Sequence, residues 1–104
     1  MTIEATPDLQ VEEQTKLQKP RRYNCILVND DFTPMDFVIM TLIEVFNHDP
    51  DSAVKIMLSV HHQGQGIAGT YIQEIANEKQ EEVTARADAQ GHPLLCRIEP
   101  ADEA

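Results

Sequence analysis

The sequence predicts an α+β domain, a three-stranded sheet packed against three helices in the order β-α-α-β-α-β, and three observations carry that reading. Short apolar runs suited to strands recur at 23–28, 65–71 and 94–98, bounded by turn formers. Between them, apolar residues return every three or four positions, the period of a helix that buries one face. Thr33-Pro34 and Asp49-Pro50 mark helix starts, and Gly64 and Gly91 mark helix ends.

Each element follows from its own residues. Tyr23-Asn24-Cys25-Ile26-Leu27-Val28 is a β-rich run stopped by Asn29-Asp30-Asp31. Thr33 then serves as N-cap, with Pro34 at the first helical position and Asp36 where a capping box would place Glu. From Met35 to Asn47 one face carries Met35, Val38, Ile39, Leu42 and Phe46, while Phe37, Met40 and Ile43 widen it. Such a helix is buried on more than one side. The second helix opens at Asp49-Pro50, carries Val54, Met57, Leu58 and His61, and stops at Gly64. Gln65 to Tyr71 is the second strand, and 72–89 the long third helix, with Ile72, Ile75, Ala76, Val83 and Ala87 at helical spacing. His92-Pro93 leads into a closing strand that puts Leu94, Cys96 and Ile98 on one face.

A chain of 104 residues has room for one small domain. Its 18 acidic and 8 basic residues give a net charge of −10, which argues against a nucleic-acid partner, because that affinity comes from Lys and Arg displacing counterions from phosphates. Residues 1–22 hold four acids and four bases, so the whole −10 falls on 23–104. With few apolar residues, no sustained periodicity and two prolines, 1–22 is expected to be a flexible extension ahead of a folded domain at 23–104. Cys25 and Cys96 form no C-x-x-C pair, and two buried free thiols are expected over a cystine. No signal-peptide pattern and no long apolar run is present, so a soluble cytoplasmic protein, without a membrane partner, is expected.

Two clusters offer chemistry: Asn29-Asp30-Asp31 after the first strand, and His61-His62-Gln63-Gly64 at the end of the second helix. Taken alone, the first is a turn that satisfies its own amides and the second a pair of histidines at a helix C-terminus. The aspartates do not follow a calcium-loop pattern, and no H-x-x-x-H exists for zinc. Thr33 and His61 could be imagined as nucleophile and base, but no nucleophile elbow or glycine-rich loop accompanies them. The remaining reading is a pocket in which amide, carboxylate and imidazole acceptors surround a cation while Met and Val side chains line an apolar hole. A free N-terminal amine on a bulky hydrophobic residue satisfies both halves.

The runs Val28-Asn29-Asp30-Asp31-Phe32-Thr33-Pro34-Met35-Asp36-Phe37-Val38, Met57-Leu58-Ser59-Val60-His61-His62-Gln63-Gly64 and His92-Pro93-Leu94-Leu95-Cys96 resemble the ClpS adaptor of bacterial and plastid Clp proteases, over residues 23–99 in order. The resemblance implies the same fold with its sheet antiparallel, and a monomer that recognises N-degron substrates beginning with Leu, Phe, Tyr or Trp. These it would hand to the N-terminal domain of the ClpA or ClpC unfoldase, without enzymatic activity or a cofactor, in the bacterial cytoplasm or plastid stroma. It places α-amino contacts on Asn29, Asp30 or Asp31, and His61. The hydrophobic pocket falls on Val28, Thr33, Met35, Val38, Met57, Val60 and Leu94, and unfoldase docking on Glu74 and Lys79. His62 is a departure, since many relatives carry an aromatic residue there.

Magnitudes favour a two-part ligand. Burying a Leu or Phe side chain stabilises a complex by about 1.5–3 kcal/mol, while micromolar affinity needs about −8 kcal/mol. Two or three hydrogen bonds from an ammonium, at about 1.5–3 kcal/mol each, close the gap before association costs. The rival from another class is an acidic interaction module of the same fold without a peptide pocket. It would show salt-sensitive binding that ignores the ligand's first side chain.

Overall fold

Tyr23, Cys25 and Leu27 alternate with Asn24, Ile26 and Val28, so a strand must send the two sets to opposite faces. In the computed structural model, which describes residues 20–101, that strand is β1 (Arg22–Val28), the middle of a three-stranded sheet. It pairs antiparallel with β2 (Gln65–Ile72) on one side and β3 (Leu95–Pro100) on the other. The helices are α1 (Met35–Glu44), α2 (Pro50–Gln63) and α3 (Gln73–Gln90), so the element order and fold class are as predicted. Cys25, Leu27, Ala68 and Cys96 form the inward face of the sheet and pack with Leu42 and Phe46 of the α1 segment, Met57 of α2 and Val83 of α3. The predicted extension at 1–22 lies, for 1–19, outside the described residues, and Arg22 already belongs to β1.

Local chemistry explains where the elements depart from the predicted bounds. Thr33 is not the N-cap of α1: Pro34 holds that position with an extended ψ of 145°, and no side chain caps the helix. The Thr33 hydroxyl donates instead to Asp30 Oδ2 at 2.8 Å. A charged acceptor three residues away outcompetes the weaker cap role. Helix α1 stops at Glu44 rather than Asn47, yet Val45 and Phe46 remain buried. Asn47 turns the chain with φ 61°, a left-handed geometry that Asn tolerates better than most residues. The caps of α2 follow the prediction: Asp49 accepts from the Ser52 amide, Pro50 opens the helix, and Gly64 ends it with φ 89°.

In β2 the register slips at Ala68, because Cys25 pairs with Gly69 and Ile26 with Ile67. His48 Nε2 lies 2.5 Å from the carbonyl oxygen of Ala68. A carbonyl only accepts, so Nε2 must carry the proton. Cys25 and Cys96 are buried free thiols, and Cys25 Sγ lies 3.6 Å from the Ala76 carbonyl. The Cys25 side chain and burial together push the Cys96 thiol far above its ordinary range. A thiol held neutral in this way is an inert packing group.

Candidate functional site

The site is assembled where β1 ends. The Asn29 amide donates to the Gly64 carbonyl at 2.9 Å, which ties the residue after β1 to the residue that ends α2. That bond brings Asn29-Asp30-Asp31 beside the last turn of α2, where His61 lies. Gly64 is thus the connecting residue that sequence reasoning took only for a helix stop.

Asp30 folds the turn. Its Oδ1 accepts from the amides of Phe32 (2.8 Å) and Thr33 (2.7 Å), and its Oδ2 from the Thr33 hydroxyl. Partial burial pushes the Asp30 carboxyl up, but these bonds and the nearby His92 outweigh it and hold the group below the usual carboxylate value. A depressed carboxylate stabilises the fold above its unfolded pKa, and that contribution is lost only as pH falls through the lower, folded value. The turn is therefore secure at neutral and mildly acidic pH. With both Asp30 oxygens engaged, exposed Asp31 is the carboxylate that the turn presents outward.

Helical spacing supplies the apolar walls. Met35 and Val38 lie three apart on α1, and Met57, Val60 and His61 lie on one side of α2. With Asn29, Asp30, Asp31 and Thr33 these residues line a single cavity of about 200 Å³. Val38 and Met57 are 7% exposed and Val60 is 3% exposed, which makes an apolar floor. Met35 is 47% exposed and stands at the mouth. The cavity thus has an acceptor-rich rim over an apolar base.

Nine of the eleven residues assigned to the pocket are brought together in this way, and two are not. Val28 belongs to the outward set of β1, opposite Gln65 and Leu95, so it does not line the cavity. The period-2 alternation that buries Leu27 turns Val28 away. Leu94 is buried in the core cluster with Val38, Met57 and Val60 and does not form part of the lining. On α3, Glu74 is exposed in the first turn. Lys79 is half-buried: its ammonium donates to the Val45 carbonyl at 2.7 Å and lies 5.6 Å from the centre of the Tyr71 ring. Among the described residues no helix is long and apolar enough to cross a membrane, and no three His, Cys, Asp or Glu side chains are grouped to hold a metal.

Fold and cavity together define a small α+β binding domain with hydrogen-bond acceptors set over an apolar hole. The family model for the ATP-dependent Clp protease adaptor protein ClpS matches residues 18–97. An ATP-dependent Clp protease adapter protein ClpS from Neisseria gonorrhoeae is 51% identical over 80 residues, 77% of each chain. Its counterpart from Paraburkholderia xenovorans is 46% identical over 89 residues, 86% of each. The solved structure of Agrobacterium tumefaciens ClpS2 bound to L-phenylalaninamide superposes with a TM-score of 0.77 at 32% identity, covering 80% of this chain and 100% of that one. The chain belongs to the ClpS family of Clp protease adaptors.

Proposed function

We propose that this protein captures substrates by their N-terminal residue, taking a free α-ammonium together with a Leu, Phe, Tyr or Trp side chain, and delivers them to the ClpA or ClpC unfoldase without catalysing a reaction itself. The observation that carries this is the single cavity in which Asn29, Asp31 and His61 stand over Val38, Met57 and Val60. An ammonium has three donors and no acceptor, so it is matched by an amide oxygen, a carboxylate and an imidazole nitrogen. The apolar floor takes the side chain. Asp30 positions the turn, and its three bonds leave Asp31 for the cation. L-phenylalaninamide, the ligand of the Agrobacterium protein, has both halves of such a substrate. Exposed Glu74, with Lys79 nearby on α3, is assigned to unfoldase docking, and residues 1–22 to delivery.

His61 can accept from the ammonium only as neutral imidazole, because imidazolium donates and repels the cation. His61→Ala, which removes that acceptor, is therefore expected to weaken a Leu-starting peptide by about tenfold. Anisotropy titrations of wild type, His61→Ala and His61→Asn check the assignment: asparagine keeps an acceptor and is expected to fall between the other two, and an unchanged affinity in His61→Ala would remove His61 from the site.

Met35 at the mouth sets the shape that is admitted. A side chain branched at Cβ meets it sooner than Leu does, so Ile- and Val-starting peptides are expected to bind worse than Leu. Met35→Ala should narrow that difference, and a variant that rejects Ile as strongly as wild type removes Met35 from this role.

A further inference from the structure

Resting on the N-terminal-residue reading above, we infer that Gly66, which touches no ligand, sets the width of the cavity by fixing where Val60 stands, and so governs how large an N-terminal side chain is admitted. Gly66 lies opposite Leu27 in the β1–β2 ladder, so a side chain there would point to the inward face. With Ala68 it gives β2 a small-residue surface on which α2 seats closely. A Cβ built on Gly66 would lie 2.9 Å from Val60 Cγ2 and 3.6 Å from the Val60 amide nitrogen. The first separation is well inside the roughly 3.5–4.0 Å of favourable carbon contact.

Val60 is 3% exposed and is part of the cavity wall. It is β-branched within a helix, where one χ1 rotamer strongly dominates, so it cannot swing aside cheaply. Any side chain at 66 therefore moves the last turn of α2 away from β2, carrying Val60 into the cavity and His61 with it. The backbone does not require glycine here, since among the described residues only Gly64 and Gly91 have glycine φ angles in the left-handed region. Space for Val60, rather than chain geometry, is what glycine supplies.

The test compares wild type, Gly66→Ala and the double variant Gly66→Ala with Val60→Ala, each titrated with free-amine peptides that start with Trp, Phe or Leu and are otherwise identical. Gly66→Ala is expected to weaken Trp-starting binding at least fivefold more than Leu-starting binding. Removing the Val60 γ-methyls should return the Trp-to-Leu ratio to wild type or above it. An unchanged ratio in Gly66→Ala, or a loss equal for all three peptides and not restored in the double variant, overturns the proposal. If Gly66→Ala alone fails to fold, the double variant is expected to fold and bind with a Trp-to-Leu ratio at or above that of wild type, and a lower ratio or a failure to fold overturns the proposal equally. A wild type that binds none of the three peptides overturns the reading beneath the proposal, and the proposal with it.

Discussion

N-acetylation of a Leu- or Phe-starting peptide is expected to abolish its binding, weakening it by roughly 100-fold or more. Acetylation converts a cation with three donors into a neutral amide with one. Asn29, Asp31 and His61 then lose their shared partner, and those the peptide covers lose water as well. Unmade bonds to a charged group cost about 1.5–3 kcal/mol each, so losing two accounts for at least two decades of affinity. The apolar floor is untouched and cannot compensate, because burial of one side chain contributes only about 1.5–3 kcal/mol. Fluorescence titration of matched free and acetylated peptides measures the difference. Equal affinities would show that the rim does not read the amine.

Asp30→Ala is expected to weaken peptide binding by roughly tenfold to 100-fold while leaving cooperative unfolding in place. The substitution removes three hydrogen bonds at once, to the Phe32 amide, the Thr33 amide and the Thr33 hydroxyl. At about 0.5–1.5 kcal/mol net each, discounted because the turn is partly exposed, the loss is enough to let Asn29 and Asp31 wander from their positions. The core lies elsewhere, around Leu27, Leu42 and Val83, which are fully buried. Asp30→Asn keeps an acceptor and should fall between wild type and alanine, and Thr33→Val, which loses one bond, should be milder still. Amide exchange at Phe32 and Thr33 checks the cause. Fast exchange in Asp30→Ala with intact peptide affinity would separate the turn from the site. In wild type those amides should stay protected at pH 5 and open only below the ordinary carboxylate range, because the Asp30 carboxyl is depressed.

Element types and most boundaries were legible because punctuation and period agreed. Asp49-Pro50, Gly64 and Gly91 are strong local signals, and the structure uses each of them as predicted. Thr33 misled because its hydroxyl had two suitors, and sequence alone does not show that Asp30 folds back to claim it. The end of α1 misled for the opposite reason: Val45 and Phe46 continue the apolar face and are buried, but in a turn rather than a helix. Apolar period records burial more faithfully than it records helix.

Much of the cavity was legible too, since nine assigned residues meet there. Val28 and Leu94 were not separable from them by pattern, because membership depends on which face of a strand or core layer a side chain joins. The bond from Asn29 to Gly64 and the space that Gly66 leaves for Val60 join residues that are distant in sequence or on facing elements. No local motif encodes such contacts. Lys79 shows the same limit, since its bond to the Val45 carbonyl spans 34 positions.

The most direct test of the central claim is a two-dimensional amide NMR titration of the protein with L-phenylalaninamide and, in parallel, with its N-acetyl derivative. Binding at the cavity should shift Asn29 to Thr33, Val60 and His61 with the free amine and leave them still with the acetylated compound. Shifts centred on the outward sheet face around Asn24 and Gln65, or identical shifts with both compounds, would contradict it.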